Sequence, residues 1–394
     1  MEKICPEYLF DGAGDLQVDK VLIHERGKIL SIEDRANFED SEVHFFKGIV
    51  CPGFVNTHCH LELSHMKGKA NSGTGLLPFL NTVVGFRDIE YSEIISAIQK
   101  ADEEMYKNGI VAVGDISNKL DTAEIKEKSQ IAYHTFVEMF DFMNKGMTQS
   151  TINQYTEVFQ GQARTFPNKI SYAPHAPYTV STDLFQYIKK QNSLLDNVTV
   201  SIHNQETIHE DELFQTGNGG FIEFYKGFGI NMKDFVPTGK SAIHYALENM
   251  NPDKKTLFVH NTCSKTSDIK AAHAWGDEVY WATCPNANLY IENRLPNYQT
   301  FLDQEALMTI GTDSLTSNWQ LSILEEIKTI NRLQSYIPIS TLLKWATSNG
   351  ARALGYEDSF GKLLPGMSPG ILLINCTVNN SHVDLSKASV VRLA

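Results

Sequence analysis

The rhythm of apolar and polar residues changes near position 49. Before it, short β-rich runs alternate with turn residues. VLIH and ILSI flank ERGK and predict a hairpin. IVCPGFVNT then reads as one apolar strand interrupted by Pro52-Gly53, and it leads directly into HCH. Further on, SEIISAIQKADEEMYKNG places Ile94, Ile98, Ala101 and Met105 on one helical face, with Ser92 as the predicted N-cap and Gly109 as the stop. IVAVGD follows at once and is apolar throughout, the pattern of a strand buried on both faces. A helix feeding a buried strand is the repeating half of a βα unit.

The alternation recurs along the chain. Strand-like runs stand at 131–138, 169–174, 198–203, 256–260, 279–284 and 307–313, with helical patterns such as DLFQYIKKQ and LSILEEIKTINRL between them. Together with the strand before HCH and that at 110–115 they make eight. Eight strands alternating with helices predict an α/β fold, a (β/α)8 TIM barrel over residues 49–360. KLLPG and ILLIN then return to a strand pattern. Residues 1–48 and 361–394 are expected to build a small β-domain beside the barrel.

Active sites of such barrels lie at the C-terminal ends of the strands. Strand one ends in His58-Cys59-His60, strand four at His175, strand five at His203, strand six at His260 and strand eight at Asp313. A lone strand-end histidine is commonly a hydrogen-bonded structural residue. Independent segments that all deliver nitrogen or carboxylate to one rim point instead to a metal site. His24, His44, His65, His134, His209, His244, His273 and His382 lack that placement and read as structural. Strand residues alternate faces, so His58 and His60 point one way and Cys59 the other, into the helix layer. Glu62 lies just past the strand, where it either reaches substrate or is a solvated loop carboxylate. His60-Leu61-Glu62 also gives half of a cytidine-deaminase zinc motif, but the chain has no C-x-x-C to complete it. Imidazoles with one carboxylate suit Zn²⁺, with Fe²⁺ as second choice. The strand-four lysine, Lys169, stands at the wrong end to bridge two ions, so one divalent ion is expected.

Composition narrows the partners. Lys and Arg number 34 against 47 Asp and Glu, a net charge of −13 that opposes a nucleic-acid surface. No apolar run approaches the ~20 residues of a bilayer span. MEKICPEYLF shows no secretory pattern, and the six cysteines are scattered, so reduced thiols and a cytoplasmic location are expected. The oligomeric state is left open, a homodimer included.

In these motifs the chain resembles the amidohydrolase superfamily, within it the cytosine/adenosine-type deaminases and chlorohydrolases. GFVNTHCHLELS is similar to the first-strand metal motif, APHAPYTVS to the segment after strand four, and HNQET to the H-x-x-E-T motif after strand five. FVHNT, CPNANL and IGTDSLTSN resemble the segments at strands six to eight. HLELS is similar to the same stretch in aminodeoxyfutalosine deaminases, with Glu62 in the substrate loop. GLLPFLNTVVGFRD lacks the ribose-binding glutamate of methylthioadenosine-type relatives.

The resemblance implies that His58, His60, His203 and Asp313 hold the metal, that Glu206 is a proton shuttle, and that His260 positions the hydrolytic water. His175 would contact substrate. A heterocycle's C–NH₂ is a poor electrophile until the neighbouring ring nitrogen is protonated, and Glu206 is placed to do that. Asp313 would take the water's proton while His260 donates a hydrogen bond to the same oxygen. The expected reaction is hydrolytic deamination of a small heterocycle, an adenine-type nucleoside or a derivative such as aminodeoxyfutalosine, S-adenosylhomocysteine or adenosine. Guanine or cytosine deamination, opening of a cyclic amide or imidazolone ring, and a catalytically silent scaffold are the competing readings. ETIHEDELFQTGNGG and NMKDFVPTGK, between strands five and six, are expected to wall the cavity, and Trp319 either faces it or packs in the core.

Overall fold

The computed structural model describes residues 1–87, 89–164, 168–233, 235–379 and 382–394. Asp88, Asp234 and the side chain of His382, which fall in segments read above, lie outside the described residues. The chain opens with β1 (Glu2–Leu9), β2 (Lys20–Glu25), β3 (Lys28–Asp34) and β4 (His44–Pro52). Then come β5 (Phe54–Cys59), β6 (Ile110–Ser117), β7 (Ala132–Met139) and β8 (Lys169–Pro174). β9 (Thr199–Asn204), β10 (Lys255–His260), β11 (Val279–Thr283) and β12 (Leu307–Ile310) follow, and β13 (Ile371–Asn379) and β14 (His382–Arg392) close the chain.

β5 to β8 form one parallel four-stranded sheet and β9 to β12 another. Every residue of β6 and β7 is buried, as in a sheet covered on both faces. The two sheets meet at the C-terminal ends of their strands. His203 N donates to His175 O at 2.9 Å, and Thr312 N and Asp313 N both reach His58 O at 3.0 Å. At the other end, the short helix Gly350–Leu354 serves both sheets: Leu354 O lies 3.2 Å from His134 Nδ1, and Ala353 O accepts from Thr199 Oγ1 at 2.5 Å.

The remaining strands make a six-stranded sheet in the order β14-β13-β4-β1-β2-β3, with β1 and β4 parallel and the other pairs antiparallel. β2 and β3 are the predicted hairpin. IVCPGFVNT is not one strand but two, in different sheets. A Cβ at Gly53 would lie 2.3 Å from Val111 Cγ1 and 2.6 Å from Pro369 O, so only glycine lets the chain pass between the sheets there. KLLPG forms no strand; the return begins at Ile371.

Three helices matter for the site: α1 (Leu76–Phe86), α2 (Tyr91–Lys107) and α3 (Ala123–Lys128). α2 buries Ile94, Ile98, Ala101 and Met105 as its periodicity predicts, but its N-cap is Glu90, which leaves Ser92 inside the first turn. Among the described residues no helix is long and apolar enough to cross a membrane.

Candidate metal centre and cavity

β5 delivers His58 and His60 to the shared end of the two sheets, β9 delivers His203, and the turn after β12 delivers Asp313. His60 Nε2 lies 3.2 Å from both His58 Nε2 and His203 Nε2. Asp313 Oδ1 stands 3.5 Å from His60 Nε2 and 3.8 Å from His58 Nε2. Donors around a tetrahedral zinc ion stand about 3.3 Å apart. These separations are therefore those of atoms sharing one cation.

Hydrogen bonding does not account for such crowding. His203 Nδ1 lies 2.9 Å from His175 O and donates its hydrogen there, which leaves only a lone pair on Nε2. A proton on His60 Nε2 serves one neighbouring imidazole and leaves the other unserved. A cation serves all of them, and the carbonyl holding His203 Nδ1 is the usual outer support of such a ligand. Burial lowers the pKa of His58, His60, His203 and His260; neighbouring imidazoles add to the effect at His58 and His203, while Asp313 opposes it at His60 and His260. All four are thus neutral, the form that binds a cation.

His260 adds a nitrogen within 4.8 Å of those of His58 and His203. Its Nδ1 lies 2.9 Å from Asn288 Oδ1 and donates there, so Nε2 presents a lone pair. With that tautomer Nε2 faces the floor as an acceptor, whereas the expectation has His260 donate to the water. His260 and Asp313 hold left-handed backbone angles, φ 70 and 56, uncommon for residues with a side chain. Asn261 N to Asn204 O and Asp313 N to His58 O, both 3.0 Å, anchor those turns.

Glu206 follows β9 on a loop fixed by a second carboxylate. Glu210 Oε1 accepts from Glu206 N at 2.7 Å, and Glu210 Oε2 from Gln205 N at 2.9 Å. Glu206 Oε2 stands 3.7 Å from His260 Nε2. Burial raises its pKa, and the charges of Asp313 and Glu292 raise it further.

His60, His203, His260, Asp313 and Glu206 form the floor of a cavity of about 960 Å³, mouth included, with His58 buried behind them. Leu76, Phe79, Leu80 and Val83 of α1 make one wall and Phe140 and Phe224 face them. The segment GLLPFLNTVVGFRD thus supplies apolar contact where a ribose-binding glutamate was missing. Phe224 belongs to the helix Gly220–Gly227, so the β9–β10 connection does wall the cavity, but through the stretch between the two segments expected to do so, which add only Glu206.

His175 lines the cavity, its Nδ1 2.8 Å from Thr179 Oγ1. Cys59 is buried in the apolar core, and all six cysteines are free thiols. Glu62 is neither solvated nor among the residues lining the cavity. It is buried, ion-paired with Arg87, and accepts from Asn118 N at 2.9 Å and Lys119 N at 3.1 Å. Trp319 is 52% exposed and stacks edgewise on Tyr290, outside both cavity and core. Sequence reading missed Arg87, Asn118 and Glu138, which make a polar patch on the cavity wall. Glu138 is the penultimate residue of β7 and the last of the predicted strand 131–138, so the strand-end test that found the histidines would have found it had carboxylates been read there too.

Residues 49–392 match the model of the amidohydrolase family, and the chain belongs to that family. It is 28% identical over 324 residues to an adenosine deaminase of Helicobacter pylori, covering 80% of this chain and 76% of that one. Among solved structures it is similar to H. pylori aminofutalosine deaminase in complex with methylthio-coformycin, with a TM-score of 0.79 at 22% identity over 95% of this chain and 92% of that one. It is also similar to an adenosine deaminase from Xanthomonas campestris with bound zinc, with a TM-score of 0.72 at 21% identity, covering 95% and 84%.

Proposed function

We propose that this chain is a metal-dependent hydrolytic deaminase that releases ammonia from an adenine-type nucleoside or derivative. The two parallel sheets are read as halves of one (β/α)8 barrel, and the six-stranded sheet as its companion β-domain, with the passage at Gly53. One observation carries the reading. A buried carboxyl, Glu206, stands beside a cluster of three imidazoles and one carboxylate on the floor of an apolar cavity. The relatives named as deaminases support it.

His58, His60, His203 and Asp313 would hold the cation, zinc before iron by their nitrogen and oxygen donors. When bound, it supplies Lewis acidity that makes water a nucleophile at neutral pH. Asp313 Oδ2 accepts from Ser317 Oγ at 2.7 Å, which fixes the carboxylate while Oδ1 faces the cluster. His260 Nε2, with its lone pair toward the floor, takes a proton from the attacking water. Glu206, in its acid form, gives a proton to the ring nitrogen beside the C–NH₂ and so turns that carbon into an electrophile. Its carboxylate then takes the proton of the new C–OH as the carbonyl forms and passes it to the departing amine, and the proton held on His260, 3.7 Å away, returns Glu206 to its acid form. The ring gains oxygen and ammonia leaves.

An ammonia-release screen over aminated purines, pyrimidines and their nucleosides, with metal content measured on the same sample, tests the proposal. Release from an adenosine-like substrate supports it. Turnover of a cyclic amide without ammonia overturns it.

A further inference from the structure

The cavity holds a carboxyl group that the deamination chemistry leaves unused. Glu138, 3% exposed, stands one residue before the end of β7 and lines the cavity with Asn118 and His175. Its Oε2 accepts from Asn118 Nδ2 at 3.2 Å. Its Oε1 has no hydrogen-bond partner among the described residues. His203 Nδ1 is 3.3 Å away, but its hydrogen is committed to His175 O. A buried carboxyl oxygen left without a partner is costly, by more than an ordinary neutral acceptor. A ligand that supplies a donor removes that cost.

His175 makes the case specific. Thr179 Oγ1 donates to Ala176 O at 3.2 Å, so its single hydrogen is used. His175 Nδ1, 2.8 Å from that oxygen, must then be the donor, and His175 Nε2 is left as an acceptor. A nitrogen of His175 and an oxygen of Glu138 lie within 4.8 Å of one another. The wall therefore offers an imidazole acceptor beside a carboxyl group that accepts when ionised and can also donate when protonated. An adenine-type base satisfies neither His175 Nε2 nor an ionised Glu138, because its ring nitrogens are themselves acceptors and its amino group must sit at the reacting floor beside Glu206. The donors that remain on a nucleoside are the hydroxyls of its sugar.

We infer that Glu138 is a specificity-determining residue which, with His175, grips the vicinal hydroxyls of the substrate's ribose and selects ribonucleosides over deoxynucleosides. A hydroxyl suits the carboxyl in either form, since it donates to the carboxylate and accepts from the acid. The inference rests on the deaminase reading above and adds the feature of the substrate that the site measures. It also explains how a chain whose α1 segment lacks a carboxylate for the sugar still recognises one, from β7 instead.

The test compares kcat/KM for adenosine with its 2′-deoxy and 3′-deoxy analogues, in the metal-loaded wild type and in Glu138→Leu and Glu138→Gln. The wild type is expected to lose about 10- to 100-fold when a hydroxyl is removed. In Glu138→Leu the ratio collapses to within about twofold, and Glu138→Gln, whose amide still bonds a hydroxyl, restores part of it. Metal content and melting temperature are recorded for each variant. A wild type that treats ribo- and deoxynucleosides alike overturns the inference without recourse to any variant. So does a ratio that survives in Glu138→Leu, which would assign the carboxyl to the base. If no nucleoside in any form releases ammonia, it is the deaminase reading that has failed.

Discussion

Replacing Glu206 by glutamine isolates the proton from everything else that side chain does. Among the described residues no hydrogen bond reaches its carboxyl group, and the neutral imidazole of His260 stands with Nε2 3.7 Å away. Burial already favours its neutral form, so a neutral amide of the same shape costs no contact and adds no desolvation. Stability is expected to stay within about 0.5 kcal/mol of wild type. Glu206 is outside the four-donor cluster, so metal content is expected to stay as well. What disappears is the acid, and general acid–base help is worth about 10²- to 10⁴-fold, or about 2.7 to 5.4 kcal/mol of barrier. The assay is ammonia release under saturating substrate, with metal analysis and a melting curve on the same preparation. A kcat within about threefold of wild type, with metal in place, removes Glu206 from the chemistry. Loss of the metal instead makes Glu206 a ligand.

Stripping the protein with a chelator is expected to abolish ammonia release and added zinc to restore it; full activity in the stripped protein refutes the metal requirement. Lys126→Met leaves Asp115 buried without the ammonium 2.6 Å away and is expected to destabilise by about 3–5 kcal/mol, with most of the loss recovered by adding Asp115→Asn. A denaturation shift of the single variant below about 1 kcal/mol counts against it. Burial lowers His134 from 6.5 to about 3. Below about pH 6.5 the unfolded chain therefore binds a proton that the folded chain refuses, and stability falls as pH drops toward 3, by up to about 1.4 kcal/mol per pH unit. Chemical denaturation across that window should show a shallower slope in His134→Asn, and an unchanged slope refutes the assignment.

The eight-fold alternation and the strand-end histidines were legible because burial on both faces and chain reversal leave strong local signals. β8 matches its predicted span, Lys169 to Pro174, residue for residue. The split at Pro52-Gly53 was not legible, because both segments are apolar and only their partners differ: β1 and β13 for one, β6 for the other. β12 ends at Ile310, short of the predicted 313, because the next amides turn to neighbouring strands: Gly311 N to Thr283 O, Thr312 N and Asp313 N to His58 O. Trp319 misled for a related reason, since an aromatic side chain after a barrel strand has no local mark that tells cavity from surface. Glu62 has the opposite fate. Its partners Arg87, Asn118 and Lys119 come from two later segments, so nothing near it in sequence reveals that it is buried.

The donor cluster and the closure of the two sheets are one structural problem. His58 belongs to the first sheet and His60 directly follows its β5, while His203 belongs to the second and Asp313 to the turn after its β12. The backbone bonds that join the sheets, His203 N to His175 O and Asp313 N to His58 O, begin or end on cluster residues or their immediate supports. Carbonyls that would otherwise be orphaned at the strand ends are thus satisfied by the same segments that aim the imidazoles inward. A cation shared by the four donors, as proposed, would cross-link both seams at once. Its removal would then do more than stop chemistry: it would withdraw the charge that offsets the crowding of His60 Nε2 against His58 Nε2 and His203 Nε2, and the loosening should begin at the β8–β9 and β5–β12 edges, where His175 and His58 stand.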